Sequence, residues 1–395
     1  MRIKTTITIL SILLWTSIIF GQHNDLKLVE YDEIKSGASK MESYLQLLQH
    51  NNIAIVANQS SLVGDTHLVD TLISEGINVS KIFCPEHGFR GKAAAGEEIN
   101  DSIDPKTNIP IISLYGSHKK PSPSDLKNID IVLFDLQDVG TRFYTYISTL
   151  TYVLEACAEN NIPLIVLDRP NPNGYTIDGP VLEKKYRSFV GLHPVPVIYG
   201  MTIGEYALMV AGEHWINKAN DINLKVISIE SYDHNTIVKL KTKPSPNLPN
   251  WQSVYLYPSL CFFEGTIMSV GRGTDFPFQI FGHPDYLIGS FVFTPLSTEG
   301  ESNPKYKDIQ CSGSNLQEYA ENFRKNKQQI NLSWLIGSYE VMNDGFFNNY
   351  FEKLAGTGEL REQIIAGLNE TEIRKSWQPK INKFKKIRAK YLLYP

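Results

Sequence analysis

The segment Cys84-Pro85-Glu86-His87-Gly88-Phe89-Arg90-Gly91 sets a carboxylate beside an imidazole, with a guanidinium close behind. Such a pair can give or take a proton, and an arginine there suits an anionic group on a substrate. The same pair also occurs as plain structure, with Glu86 capping a turn and His87 filling a core position. Shortly after, Ala95-Gly96-Glu97-Glu98 offers a second carboxylate in Glu97, although paired glutamates on a loop are usually solvated surface. Asp135-Leu136-Gln137-Asp138-Val139-Gly140-Thr141-Arg142 adds two more acids. Asp135 ends an apolar run, where a buried carboxylate needs a partner, and Arg142 is the obvious one. Asp138, Gln137 and Arg142 are candidates for touching a ligand. Tyr144 and Tyr146 suit either the wall of a sugar-sized pocket or the core.

Two further clusters complete the set. Asp168-Arg169-Pro170-Asn171-Pro172 is a polar loop braced by prolines, which reduce the entropy lost when side chains are held for a ligand. A stiff connection explains its prolines, but not the density of Asp168, Arg169 and Asn171. Glu264-Gly265-Thr266 and Gly271-Arg272-Gly273-Thr274 bring another acid and another arginine. Glu264 would supply the second carboxylate of a hydrolytic pair. Glycosidases place two carboxyl groups about 5–5.5 Å apart for retention and about 6.5–9.5 Å apart for inversion. A Gly-x-Gly pattern around Arg272 and Thr274 is too short for a phosphate loop without its lysine.

Other chemistries lack their motifs. There is no Gly-x-Ser-x-Gly elbow and no His-Glu-x-x-His zinc site, and Asn58-Gln59-Ser60-Ser61 stands where a dinucleotide fingerprint would begin. Neither a metal nor a nucleotide cofactor is expected. Four cysteines, Cys84, Cys157, Cys261 and Cys311, are widely spaced, and buried free thiols are the simplest reading. A 42% hydrophobic, 20% charged composition over 395 residues excludes disorder and allows about two domains. A net charge of −4, with no basic recognition module, argues against nucleic acid as a partner.

The elements that must position these groups alternate. Apolar runs at 53–58, 79–83, 111–114, 130–135, 163–168 and 224–229 read as strands. Residues 41–50, 67–75 and 143–159 read as helices. Alternation of this kind predicts an α/β fold with a mostly parallel sheet covered on both faces. Asn58-Gln59, the Glu86 cluster, the Asp135 cluster and the Asp168 cluster each follow a strand. Ligands of open α/β sheets bind outside the carboxyl ends of the strands, so the four would converge there. Pro244-Ser245-Pro246-Asn247 is a stiff turn, and 262–284 suits a long functional loop. Phe291–Thr294, helices at 316–327 and 359–367, and a basic final helix over 380–390 suggest a smaller α+β domain. The boundaries read as a signal peptide over 1–21, a Rossmann-like catalytic domain over 22–285 and a C-terminal domain over 286–395. Arg2 and Lys4 before an apolar run, with Gly21-Gln22 behind it, describe a secretory leader that is too short to span a membrane. Export to the periplasm or the medium is expected, with no transmembrane span in the mature chain.

Taken in order, the clusters resemble one family. Ala57-Asn58-Gln59-Ser60, Pro85-Glu86-His87-Gly88-Phe89-Arg90-Gly91 and Ala95-Gly96-Glu97 come first. Leu114-Tyr115-Gly116, Asp135 to Tyr146, Asp168-Arg169-Pro170-Asn171-Pro172 and Ser188-Phe189-Val190-Gly191 follow. The series ends with Tyr199 to Glu205, Pro244-Ser245-Pro246-Asn247, and Glu264-Gly265-Thr266 with Gly271-Arg272-Gly273-Thr274. This resembles the exo-β-N-acetylmuramidase family NamZ over nearly the whole mature chain, although Tyr199 stands where many members carry His. The resemblance implies release of β-1,4-linked N-acetylmuramic acid from the non-reducing end of peptidoglycan fragments, without metal or nucleotide. Its partners would be peptidoglycan-derived saccharides and muropeptides. Glu86 is then expected as general acid, with Glu264 or Asp138 stabilising or attacking the oxocarbenium-like centre, or directing the substrate's own acetamido group. Arg90, Arg142, Arg169 or Arg272 would clamp the lactyl carboxylate. Asn58, Gln59, His87, Glu97, Gln137, Tyr144, Tyr146, Asp168, Asn171, Asn247 and Thr274 would line the sugar site. A muropeptide receptor without turnover, or an amidase acting on the peptide stem, would use the same residue types.

Overall fold

A computed structural model describes residues 26–89, 101–326 and 328–395. The expected leader, Arg90 and Glu97 lie outside the described residues. The central sheet has seven strands: β1 (Asn52–Ala57), β2 (Asn78–Cys84), β3 (Ser102–Ile103), β4 (Pro110–Ser113), β5 (Ile131–Asp135), β6 (Leu164–Leu167) and β7 (Leu224–Ile227). Their spatial order is β7-β6-β5-β1-β2-β4-β3, and every pairing is parallel except that of the short edge strand β3. The chain builds outward from β1 through β2 to β4, then returns to the other side of β1 with β5. The sheet therefore changes direction between β1 and β5, where open α/β sheets place their ligands.

Period-two alternation explains why these runs are strands with two buried faces. Ala54, Val56, Val132, Phe134, Leu164 and Val166 point into one core cluster, while Ile53, Ile55, Ile131, Leu133, Ile165 and Leu167 point into the other. Helix α1 (Leu68–Ser74) packs on the second cluster, and α2 (Tyr146–Asn160) and α3 (Ile203–Gly212) on the first. Thr202 and Glu205 close a capping box at the start of α3. The predicted helix over 143–159 starts at Tyr146 instead, because the backbone of 141–145 is used in turns that lead into the site. The segment 41–50 forms only a 3-10 turn and the four-residue helix Leu45–Leu48.

The second half adds α4 (Trp251–Leu260) and a three-stranded antiparallel sheet, β8 (Ile280–His283), β9 (Phe291–Phe293) and β10 (Cys311–Asn315), in the order β8-β10-β9. Helices α5 (Ser333–Met342), α6 (Phe351–Ala355), α7 (Glu359–Ile365) and α8 (Glu370–Arg388) follow. Helix α8 begins well before the expected 380, because Asn369 and Glu372 form its capping box. Leu335, Phe351, Leu354, Trp377, Ile381 and Phe384 join the same core cluster as the first face of the central sheet. No helix among the described residues is long and apolar enough to cross a membrane. All four cysteines are free and buried.

Candidate active site

A chamber opens above the carboxyl edge of the sheet, walled by Glu86, His87, Phe143, Tyr144, Thr145, Tyr146, Ser245, Asn247, Leu248, Tyr257, Arg272 and Phe278. Glu86 and His87 arrive from the exit of β2, Tyr144 and Tyr146 from the segment that enters α2, and Tyr257 from α4. His87 takes a left-handed backbone (φ 71°), the bend that directs this loop out of the strand. Ser245 and Asn247 also border a wider outer cleft of about 520 Å³, lined by Gln59, Lys243, Gly273, Thr274 and Glu299 among others. The inner chamber and outer cleft thus share one wall, the proline-stiffened turn 244–249.

Glu86 is positioned by hydroxyl groups. Thr145 Oγ1 donates to its Oε2 at 3.1 Å, and the Tyr115 hydroxyl also hydrogen-bonds it. Burial, and secondarily the nearby Glu86 carboxylate, push the Tyr115 phenol upward, so this group stays protonated and can donate. Glu264 stands at the end of a 3-10 turn, Cys261–Gly265, and accepts from Arg272 Nε at 2.7 Å. Arg272 lies over the Phe278 ring at 5.1 Å and within 3.6 Å of Glu301. The Tyr350 hydroxyl is raised first by local desolvation, with the Glu264 and Glu86 carboxylates adding to it, so it lies within electrostatic reach of both glutamates. Lys305, its ammonium lowered by local desolvation, also feels Glu264 while donating to the carbonyls of Thr266 and Met268. Two carboxylates therefore belong to one region, one held by hydroxyls and the other by an ion pair.

The expected site residues divide sharply by depth. Glu86, His87, Tyr144, Tyr146, Asn247 and Arg272 line the chamber, and Gln59, Asn247 and Thr274 line the outer cleft. Asn58 is fully buried, donating to the Tyr146 hydroxyl at 2.7 Å and accepting from Ser60. Gln137 donates to the carbonyls of Asp138 and Pro170. Asp138 accepts from the Tyr199 hydroxyl and from the Gly140 amide at 2.6 Å, and burial pushes its carboxyl up to about 7. Gly140 has φ +75°, and a Cβ there would meet the side chain of Asn171, so only glycine permits this approach.

Several expectations are corrected here. Asp135 pairs with Arg169, not Arg142: Nε and Nη2 of Arg169 reach its two oxygens at 2.6 and 2.8 Å. Arg169 also donates to Tyr31 and to the Leu62 carbonyl, and is 2% exposed. Arg142 is fully buried and donates to the carbonyls of Pro180, Val195, Leu354 and Ala355 at 2.7–2.9 Å. Burial lowers its guanidinium to about 9, still charged at neutral pH. Asp168 accepts from Thr202, Tyr394, Gly204 and Arg169, and Asn171 from Asn173 while donating to Met201. Arg142, Arg169, Asp168 and Asn171 therefore hold loops together and do not face the chamber. The reason is physical: a buried ionic group without partners is costly, so the interior consumes its hydrogen-bonding capacity.

The reading of single residues missed Tyr115, Thr145, Tyr257, Tyr350, Lys305 and Lys243 as site groups. Tyr115 was within reach of the strand-exit rule, since it follows β4. Tyr350 carried no local signal, because α6 delivers it from far along the chain. Among the described residues no group of three or more His, Cys, Asp or Glu is arranged to hold a metal.

Comparisons with known proteins agree with this architecture. A family model described as exo-β-N-acetylmuramidase NamZ, N-terminal, matches residues 53–252, and its C-terminal counterpart matches 255–394. The chain is 38% identical over 377 residues to the peptidoglycan β-N-acetylmuramidase NamZ of Bacillus subtilis (strain 168), covering 90% of this chain and 89% of that protein. It is similar to a DUF1343 family protein from Bacteroides fragilis NCTC 9343 at 44% identity and a TM-score of 0.85, over 91% of this chain and 99% of that one. A second DUF1343 family protein from that organism is 27% identical, with a TM-score of 0.74 over 92% and 99% of the two chains.

Proposed function

The chain belongs to the exo-β-N-acetylmuramidase NamZ family, and from that premise we propose that it is a glycoside hydrolase releasing N-acetylmuramic acid from the non-reducing end of peptidoglycan fragments, with Glu86 as general acid. The observation that carries the assignment is the setting of Glu86 at the exit of β2. It lines the chamber, held by Thr145 and Tyr115, in a region that also contains the Glu264–Arg272 pair. Glu86 donates its proton to the leaving glycosidic oxygen. Glu264 supplies the negative charge that faces the oxocarbenium-like centre of the released sugar. Arg272, the one arginine among the chamber's described lining residues, supplies a cation for the lactyl carboxylate that distinguishes muramic acid. Asp138 is buried against Tyr199 and takes no step. Glycosidic chemistry is favoured over the receptor and amidase readings because Glu86 lines the chamber and a second carboxylate, Glu264, reaches the chamber wall through its pair with Arg272. The charged start and apolar run of residues 1–21 support export to the periplasm or medium, where the polymer lies.

The test is incubation of purified protein with the disaccharide N-acetylmuramic acid–β-1,4–N-acetylglucosamine, read by mass spectrometry. Both monosaccharides should appear, and Glu86→Gln should slow their release by about 10²–10⁴-fold. A loss of less than about tenfold removes the acid role from Glu86. An intact disaccharide that nevertheless binds would turn the reading to a receptor.

A further inference from the structure

We propose that Tyr115, Phe189 and Lys119 form the platform for the leaving part of the glycan, reached from the chamber past Glu86. The inference deepens the reading above and rests on Glu86 being the general acid. A general acid stands at the glycosidic oxygen, between the sugar released and the sugar that leaves. The second carboxylate faces the anomeric carbon of the released sugar, so Glu264, Arg272 and Asn247 mark that sugar's side. The rest of the chain lies beyond Glu86, outside the chamber that holds that sugar.

From Glu86 an ordered run of aromatic rings leads to a cation, through residues that line neither the chamber nor the outer cleft. Tyr115 hydrogen-bonds Glu86, and its ring centroid lies 6.2 Å from that of Phe189. Phe189 rides a tight turn in which Ser188 and Gly191 exchange both backbone hydrogen bonds at 3.0 Å. Its ring stacks on Tyr152, 6.3 Å away with planes 13° apart, so it is held from behind by helix α2. Lys119 places its ammonium 5.2 Å from the Phe189 centroid. Tyr115, Lys119, Tyr152 and Phe189 are all partly exposed. The neighbouring Lys120 is engaged by Glu155 and Glu159 at 2.8 and 2.6 Å, whereas Lys119 makes no ion pair among the described residues. Aromatic rings accept the apolar face of a sugar, and a nearby cation accepts a carboxylate. The chemistry matches the polymer: the first leaving sugar, N-acetylglucosamine, stacks on Tyr115 and Phe189, and the next residue carries a carboxylate again, which Lys119 meets.

Three substrates separate the parts: methyl β-N-acetylmuraminide, the disaccharide, and a tetrasaccharide with two muramic acids. Phe189→Ala should lower the ratio of disaccharide to methyl-glycoside kcat/KM by about tenfold, as expected for losing one stacking contact of about 1.4 kcal/mol. Lys119→Ala should lower the ratio of tetrasaccharide to disaccharide kcat/KM by several-fold, mostly through KM, and added salt should lower the same ratio in the wild type. Equal effects on all three substrates would overturn the proposal. So would a larger tetrasaccharide effect from Lys243→Ala in the outer cleft than from Lys119→Ala. If the wild type cleaves none of the three, the general-acid reading itself fails and the platform falls with it. A thermal melt identifies a Phe189→Ala protein that has simply unfolded, and the partly exposed Lys119 then carries the test.

Discussion

Two arginine–carboxylate pairs in this protein are twins by contact and opposites by use. Arg169 reaches Asp135 at 2.6 Å and Arg272 reaches Glu264 at 2.7 Å. The first pair is 2% and 0% exposed and joins the exits of β5 and β6 to Tyr31 and Leu62. The second is 22% and 24% exposed and meets the chamber through Arg272. A third pair, Lys241 with Asp65, makes the same 2.7 Å contact with its carboxylate in solvent, Lys241 being 28% and Asp65 91% exposed. Distance alone therefore says nothing about role. Depth decides whether an ion pair is a rivet, a working group or a surface decoration, because the medium sets both the cost of the charge and its access to a ligand.

Four substitutions would break or sharpen that comparison. The largest effect belongs to the rivet: Asp135→Ala leaves the Arg169 charge buried and unpaired, costing about 3–5 kcal/mol of stability. Denaturant unfolding would show a strongly lowered midpoint, or the chain would fail to accumulate in soluble form. A midpoint close to the wild type would end the distinction between the pairs. Next comes Glu264→Gln, which should cost about 10²-fold in turnover, as for other groups that stabilise transition-state charge. Its melting temperature should stay near that of the wild type, since the pair is partly open to solvent. If stability falls as far as activity, Glu264 is a rivet as well.

The third prediction concerns pH. Asp138 has its folded-state carboxyl raised to about 7 by burial, above the ordinary 3.8. Between these values the native state holds a proton that the unfolded chain has released, so stability should fall as pH rises from about 4 to about 7. Asp138→Asn keeps the acceptor for Tyr199 and Gly140 and cannot ionise. Thermal melts of this variant should show a flatter pH dependence than the wild type. Identical slopes would mean that Asp138 is charged in the native protein below pH 7. The smallest effect belongs to Asp65→Ala, whose solvent-exposed pair should leave the melting temperature within experimental error. A clear drop there would show that contact distance matters more than depth.

Much of this was legible beforehand, and the failures share a cause. The strands over 53–58, 130–135 and 163–168 were readable because a doubly covered parallel strand leaves an uninterrupted apolar run. The polar groups at their exits were readable because an apolar run ending in Asp or Asn marks the edge of the sheet. The pairing of Asp135 was misread because Arg142 is near in sequence, while Arg169 is near in space. Parallel register sets Phe134 beside Val166, which brings the exits of β5 and β6 together. Tyr350 could not be found in advance, because its contact with the chemistry depends on how α6 docks. That docking is held by Arg142 on the carbonyls of Leu354 and Ala355, and Gly356 (φ +73°) gives the guanidinium room where a Cβ would collide.

The sequence by itself determined the alternation of elements, the edge of the sheet where polar groups gather, and the ordered motifs that mark the family. All three are written in short-range patterns of residue type, which burial and backbone geometry translate directly. The tertiary structure alone decided which acids and arginines became scaffold and which face a ligand. That outcome depends on burial and on partners contributed by remote segments, such as Arg169 for Asp135 and Thr145 for Glu86. A charge acquires its role from the medium and the neighbours that folding supplies.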